Sequence, residues 1–86
     1  MASIQELSNE VMSIKQTSDQ LAQMVGAANT SLASQSSMIS NMVQGSQSGQ
    51  EAVMSLSVAT RSLADAASAM KALSRTCDEC IANLDK

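Results

Sequence analysis

The chain has 86 residues, a net charge of −3, and neither aromatic residues nor histidine. This composition argues against a nucleic-acid-binding protein, which would carry a basic stripe and usually stacking aromatics. The chain lacks a run of about eighteen apolar residues, so no membrane span is expected. Its N-terminus has neither the basic nor the apolar region of a secretory signal. We therefore expect a protein that is cytoplasmic, or exported without a cleaved signal peptide.

The first predicted element is a long helix over residues 3–44. Ser3-x-x-Glu6 is a capping box, which opens a helix by satisfying its first free amides. Apolar residues then recur at spacings of three and four, the pattern of a helix with one buried stripe. In heptad notation the a positions are Ile4, Val11, Ser18, Val25, Leu32 and Ile39. The d positions are Leu7, Ile14, Leu21, Ala28, Gln35 and Met42. Such a helix should be about 60 Å long.

A tight reversal is predicted at residues 45–48, where two of the chain's three glycines, Gly45 and Gly49, lie close together. Gly45 is placed to end the first helix in the left-handed conformation that glycine adopts at least cost. Ser48-x-x-Glu51 is a second capping box and predicts Ser48 as the N-cap of the next helix.

The second predicted helix covers residues 49–84. Its a positions are Leu56, Leu63, Met70, Cys77 and Leu84. Its d positions are Ala52, Ala59, Ala66, Leu73 and Cys80. We expect the a and d rows of both helices to face each other, so that residues 1–86 form one all-α domain, an antiparallel two-helix hairpin. A hairpin buries only one seam and is marginal alone, so we expect it to pair into a four-helix bundle with a second copy or another helical partner.

A partner-binding face is predicted from apolar residues that fall outside the a and d rows. No charged residue occurs between Asp19 and Glu51, whereas a solvated helix face usually carries charges. Methionine suits adaptable contacts with a partner. We assign to this face Met24, Met38, Val43, Val53 and Met54. The alternative interpretation is that these are ordinary surface apolar residues.

Cys77-x-x-Cys80 is the one motif with chemical potential. It fits three interpretations: two core cysteines, a disulfide within or between chains, or half of a metal site completed by a second chain. Both residues lie near the end of a predicted helix, whereas a helix N-terminus is what activates a thiol. The chain has no histidine to activate a serine and no phosphate-binding loop. We predict a non-enzyme with no catalytic residue, cofactor, metal or small-molecule substrate.

A hairpin of this length with a glycine turn near its middle resembles the WXG superfamily of type VII secretion proteins. Gln47-Ser48-Gly49 lies where that family has Trp-x-Gly, and retains the glycine without the tryptophan. The chain is more similar to the small helical partners of LXG toxins in Gram-positive bacteria. Some of those proteins carry Phe-x-x-x-Asp near the C-terminus, and Ile81-Ala-Asn-Leu-Asp85 has the same spacing with isoleucine in place of phenylalanine.

This resemblance implies a type VII secretion accessory protein, a targeting partner or chaperone. It would bind the helical N-terminal domain of an LXG-type toxin, alone or with a second small helical partner, and present it to the secretion apparatus. Ile81 and Asp85 would then contribute to an export signal. The alternative is a self-assembling helical bundle, such as a homodimer, that carries no cargo.

Overall fold

The computed structural model describes residues 3–42 and 45–84, which form helices α1 (Ile4–Met42) and α2 (Gln47–Asn83). The two helices run antiparallel and pack against each other along one side. They give a rod 62 Å long and 19 by 14 Å across. Within these two ranges there is no strand. The predicted all-α hairpin is therefore confirmed.

The start of α1 follows the predicted capping box. The Ser3 hydroxyl accepts a hydrogen bond from the Glu6 amide at 3.0 Å, and the Ser3 carbonyl accepts from the Leu7 amide at 2.9 Å. These contacts satisfy amides that have no partner inside the helix. From there α1 continues through Gly26 without a break.

The turn differs from its prediction by two residues. Gly45 has a φ of +84°, the left-handed conformation expected of it. Ser46 is the N-cap of α2, however, and its hydroxyl accepts from the Gly49 amide at 3.2 Å. The prediction of Ser48 as N-cap was wrong because Ser46, directly after the glycine, is the first hydroxyl in extended backbone. Ser48 and Gly49 lie in the first turn of α2.

The seam between the helices is rotated relative to its prediction. The a positions face the partner helix, but the other buried row is e, the position directly after each d. The side chains with the least exposure in the described ranges are Val11, Ser18, Ser74 and Cys77, all at a or e. The d residues Leu7, Ile14, Leu21 and Leu73 remain 45, 43, 37 and 42% exposed. Their assignment to the seam was wrong.

The residues at e explain the rotation. In α1 they are mostly small or polar: Ser8, Lys15, Ala22, Asn29 and Ser36. In α2 they are Val53, Thr60, Ala67, Ser74 and Ile81. Small side chains let the two backbones approach closely, and turning α2 toward its e row buries part of Val53 and Ile81, while Ala59 and Ala66 at d also stay half-buried. A helix pair has one line of contact, so the leucine row of α1 stays outside it.

Several polar side chains bond to their own helix. The hydroxyls of Thr30 and Thr76 donate to the carbonyls of Gly26 and Ala72, both at 3.1 Å. The Asn83 side-chain amide donates to the Glu79 carbonyl at 2.8 Å. These groups are satisfied without any contact across the seam.

Candidate helix-docking face

An apolar strip follows one side of the hairpin toward its open end. We define the apolar face as Leu7, Ile14, Leu21, Met70 and Leu73. In an antiparallel pair with a and e in the seam, the d rows of both helices fall on the same side. Ile14 and Leu21 therefore lie alongside Leu73 and line one groove with it, and Leu7 lies on the same side nearer the open end. Large apolar residues exposed together in this way mark an interaction surface more often than scattered ones do.

A groove runs along the apolar face, with a volume of about 370 Å³. We call it the open-end groove. Its lining residues are Glu10, Ser13, Ile14, Thr17, Ser18, Leu21, Met70 and Leu73. Ser18 is buried at an a position whose equivalents elsewhere in α1 are Ile4, Val11, Val25, Leu32 and Ile39. A small side chain at the one place where the stripe has serine leaves space for the groove.

The opposite side of the seam is charged. We define the polar edge as Lys15, Asp19, Lys71 and Asp78. The Lys15 Nζ lies 3.1 Å from Asp19 Oδ2 on its own helix and 3.7 Å from Asp78 Oδ1 on α2. A hydrogen bond to Asp19, then the charges of Asp19 and Asp78, raise the pKa of Lys15 above its usual value.

The pKa of Asp19 is lowered, first by a hydrogen bond with the Ser74 side chain and then by one with Lys15. Ser74 belongs to α2 and is buried in the seam. Ser74 thus acts on Asp19 across the seam as a neutral group, while Lys15 contacts Asp78 through its charge. Both neighbours favour the charged forms of the two side chains along this edge.

The four described residues assigned to the partner-binding face do not form one surface. Met24 and Met38 are 66 and 60% exposed and flank the d row of α1 on its outer side. Met54 is 68% exposed but lies on the back of α2, facing away from the seam. Val53 is half-buried at an e position of the seam. Val43 lies outside the described residues.

At the C-terminal end, Ile81 is half-buried at an e position, and Asp85 lies outside the described residues. Cys77 is buried, Cys80 is partly exposed, and both are free thiols. In the ranges 3–42 and 45–84, no group of three or more histidine, cysteine or carboxylate side chains is arranged to hold a metal. Over the same residues, neither helix has a stretch apolar enough to span a bilayer.

Sequence reasoning placed the leucine row inside the seam and so missed it as a surface. The pattern of residue types gave no signal for it, because in both helices the d row is more apolar than the e row, which contains Lys15, Thr60 and Ser74.

No protein-family model, curated protein or solved structure matches this chain. A functional proposal therefore depends on the surface itself and on the motifs of the sequence.

Proposed function

We propose that this chain is a helical adaptor that docks a helical domain of another protein on its apolar face. The partner we propose is the N-terminal helical domain of an LXG-type toxin, which the adaptor accompanies to the type VII secretion apparatus. The observation that carries the proposal is the row of Leu7, Ile14, Leu21 and Leu73, exposed on one side of a hairpin whose opposite side is charged.

The amount of exposed surface supports an incomplete assembly. The chain exposes 6213 Å². A compact monomer of the same mass, 8.9 kDa, is expected to expose about 4,800 Å². The excess of about 1,400 Å² exceeds the roughly 800 Å² that one partner contributes to a standard interface. Covering the apolar face with one more helix pair would remove a substantial part of that excess.

The choice of toxin as partner rests on the sequence. Support comes from the hairpin with its central glycine turn and from the spacing of Ile81 and Asp85, which resemble the small helical partners of LXG toxins. Two helices that share one thin seam also suit a protein that completes its core only with cargo.

The second candidate function is a self-assembling bundle without cargo. One observation favours it: a single apolar face on each copy can pair with its own counterpart around a two-fold axis. Both candidates use the same surface, so the experiment must separate a foreign partner from a second copy.

The test compares two carboxylate variants. Leu21→Glu alters the apolar face, and Met54→Glu places the same charge on the back of α2, where exposure is greater. The chain is co-expressed with an LXG-type toxin, and co-purification and export of the toxin are measured. We expect Leu21→Glu to stay helical by circular dichroism but to lose the toxin, because the new carboxylate would have to be buried unpaired.

Met54→Glu should bind and export the toxin normally. Retention of the toxin by Leu21→Glu would contradict the docking face. Light scattering on the free chains tests the second candidate. If the wild-type chain is a dimer that does not bind the toxin, and Leu21→Glu converts it to a monomer, the protein is a self-assembling bundle and not an adaptor.

A further inference from the structure

The size and lining of the open-end groove support a more specific inference, which rests on the proposed docking function. We propose that the groove receives one aromatic side chain from the partner's helix, with a basic residue of that helix one turn away beside Glu10. The partner surface is therefore an amphipathic helix with an aromatic anchor and a neighbouring lysine or arginine.

The size of the groove favours a ring. A buried cavity of about 150 Å³ is enough to hold benzene, and the open-end groove offers about 370 Å³. Ile14 and Leu21 line it from α1, and Met70 and Leu73 line it from α2. Flat, rigid rings fill such grooves with large contact area, and a thioether makes favourable contacts with ring edges.

The polar residues of the groove fit the polar group of an indole or a phenol. Ser13, Thr17 and Ser18 contribute hydroxyls to a lining that is otherwise mostly apolar. Tryptophan and tyrosine each bring one hydrogen-bonding group on an apolar body, and usually find a partner for it when they are buried. Both residues are also enriched where a few contacts dominate an interface.

Charge complementarity argues for a foreign helix over a second copy. Glu10 is the one charged residue of the groove, and it forms no salt bridge within the described ranges. A second copy would bring another Glu10, no aromatic residue, and no basic side chain from the d or g rows that flank the groove. Only a chain of different sequence can offer both the ring and the opposite charge.

The first experiment tests the groove without any partner protein. N-acetyl-tryptophanamide is titrated into the hairpin, and methyl resonances are followed by NMR. We expect shifts at Ile14, Leu21, Met70 and Leu73 and none at Met54. The variant Ser18→Leu fills the base of the groove and should abolish the shifts, while Ser18→Ala should keep them. Absence of localised shifts in the wild type, or their persistence in Ser18→Leu, overturns the inference.

Because Ser18 is buried, Ser18→Leu could disturb the seam, and Glu10→Lys supplies a second variant at an exposed site. The probe for it is the N-terminal domain of an LXG-type toxin, with binding measured by calorimetry; the hairpin itself contains no aromatic residue. We expect Glu10→Lys to weaken binding at low salt and lose that effect at high salt. If Glu10→Lys and the wild type bind the domain with equal affinity at both salt concentrations, the proposed basic residue beside Glu10 is contradicted.

Leucine substitutions at single aromatic residues of the toxin domain complete the test. One of them should lower affinity about tenfold or more, and should be non-additive with Ser18→Leu. If the toxin domain binds and no aromatic substitution matters, the anchor fails while the adaptor function survives. If the tryptophan probe occupies the groove but the toxin domain does not bind, the toxin assignment fails while the groove keeps its specificity.

Discussion

The two sides of the hairpin differ in whether their side chains find partners within the chain. Along the polar edge, Lys15 pairs with Asp78 across the seam, and Ser74 of α2 helps to lower the pKa of Asp19. Along the apolar face, Leu7, Ile14 and Leu21 remain more than a third exposed and find no interactions of comparable extent. The two sides of the hairpin therefore differ in how much of their side-chain surface is engaged within the chain.

The largest expected effect separates the seam from the apolar face. Val11 is buried between the helices, and Leu7, one turn earlier, is exposed on the apolar face. Val11→Asp should lower the free energy of unfolding by about 3 kcal/mol, because an unpaired carboxylate would be buried. Leu7→Asp should cost under about 1 kcal/mol. Thermal unfolding followed by circular dichroism measures both. Equal losses of unfolding free energy for the two variants would show that Leu7 is buried in the seam.

The turn determines how the two sides are joined, and substitutions there should have an intermediate effect. Gly45→Val should cost about 1–2 kcal/mol because a β-branched residue strains a left-handed backbone. Ser46→Ala should cost about 1 kcal/mol through loss of the N-cap. Ser48→Ala, the matched control, should stay within about 0.5 kcal/mol. Both serine variants are measured by urea unfolding. A larger loss of stability for Ser48→Ala than for Ser46→Ala would show that Ser48 is the N-cap.

The smallest expected effect concerns the polar edge and its pH dependence. The pKa of Asp19 is lowered from its ordinary value of 3.8, so its contribution to stability is present above that value. The contribution is lost as pH falls through the lower, folded-state value. Asp19→Asn should therefore show a smaller decrease in melting temperature between pH 7 and pH 2 than the wild type.

Asp65→Asn is the control for that experiment, because it removes an exposed carboxylate that takes no part in the polar edge. It should retain the wild-type pH dependence. High salt should reduce the difference between Asp19→Asn and the wild type, since the contacts at this edge are exposed to solvent. Identical pH profiles for all three proteins would show that the polar edge contributes nothing to stability.

The sequence was sufficient to predict whatever is determined locally. Ser3 caps α1 through contacts three and four residues away, and Gly45 adopts the left-handed conformation that the chain reversal requires. The a row was also predictable, because a six-heptad repeat leaves little doubt about the phase of a helix. Ser46 and Ser48 are both acceptable N-caps by sequence, and only the geometry after Gly45 distinguishes them.

The second row of the seam could not be read from the heptad pattern alone. In a larger bundle the a and d rows are covered from two directions, but a lone hairpin covers only one flank of the stripe. Whether Leu21 or Ala22 faces α2 therefore depends on how many helices are present, which is a property of the assembly. The same reasoning explains why the predicted methionine face was scattered: Met24 and Met54 were chosen relative to a seam that lies one row away.

The hydrogen bonds that Thr76 and Asn83 make to their own helix have a consequence for dehydration. Both residues lie on the outer flank of α2, on the same side as the apolar face; the Thr76 hydroxyl and one N–H of the Asn83 amide are already engaged with the Ala72 and Glu79 carbonyls. A molecule that covers this flank would strip water from two donors that retain a partner, so the desolvation penalty of those donors is reduced. A surface rich in hydroxyls and amides can thus become dry at modest cost, although it does not look apolar in the sequence.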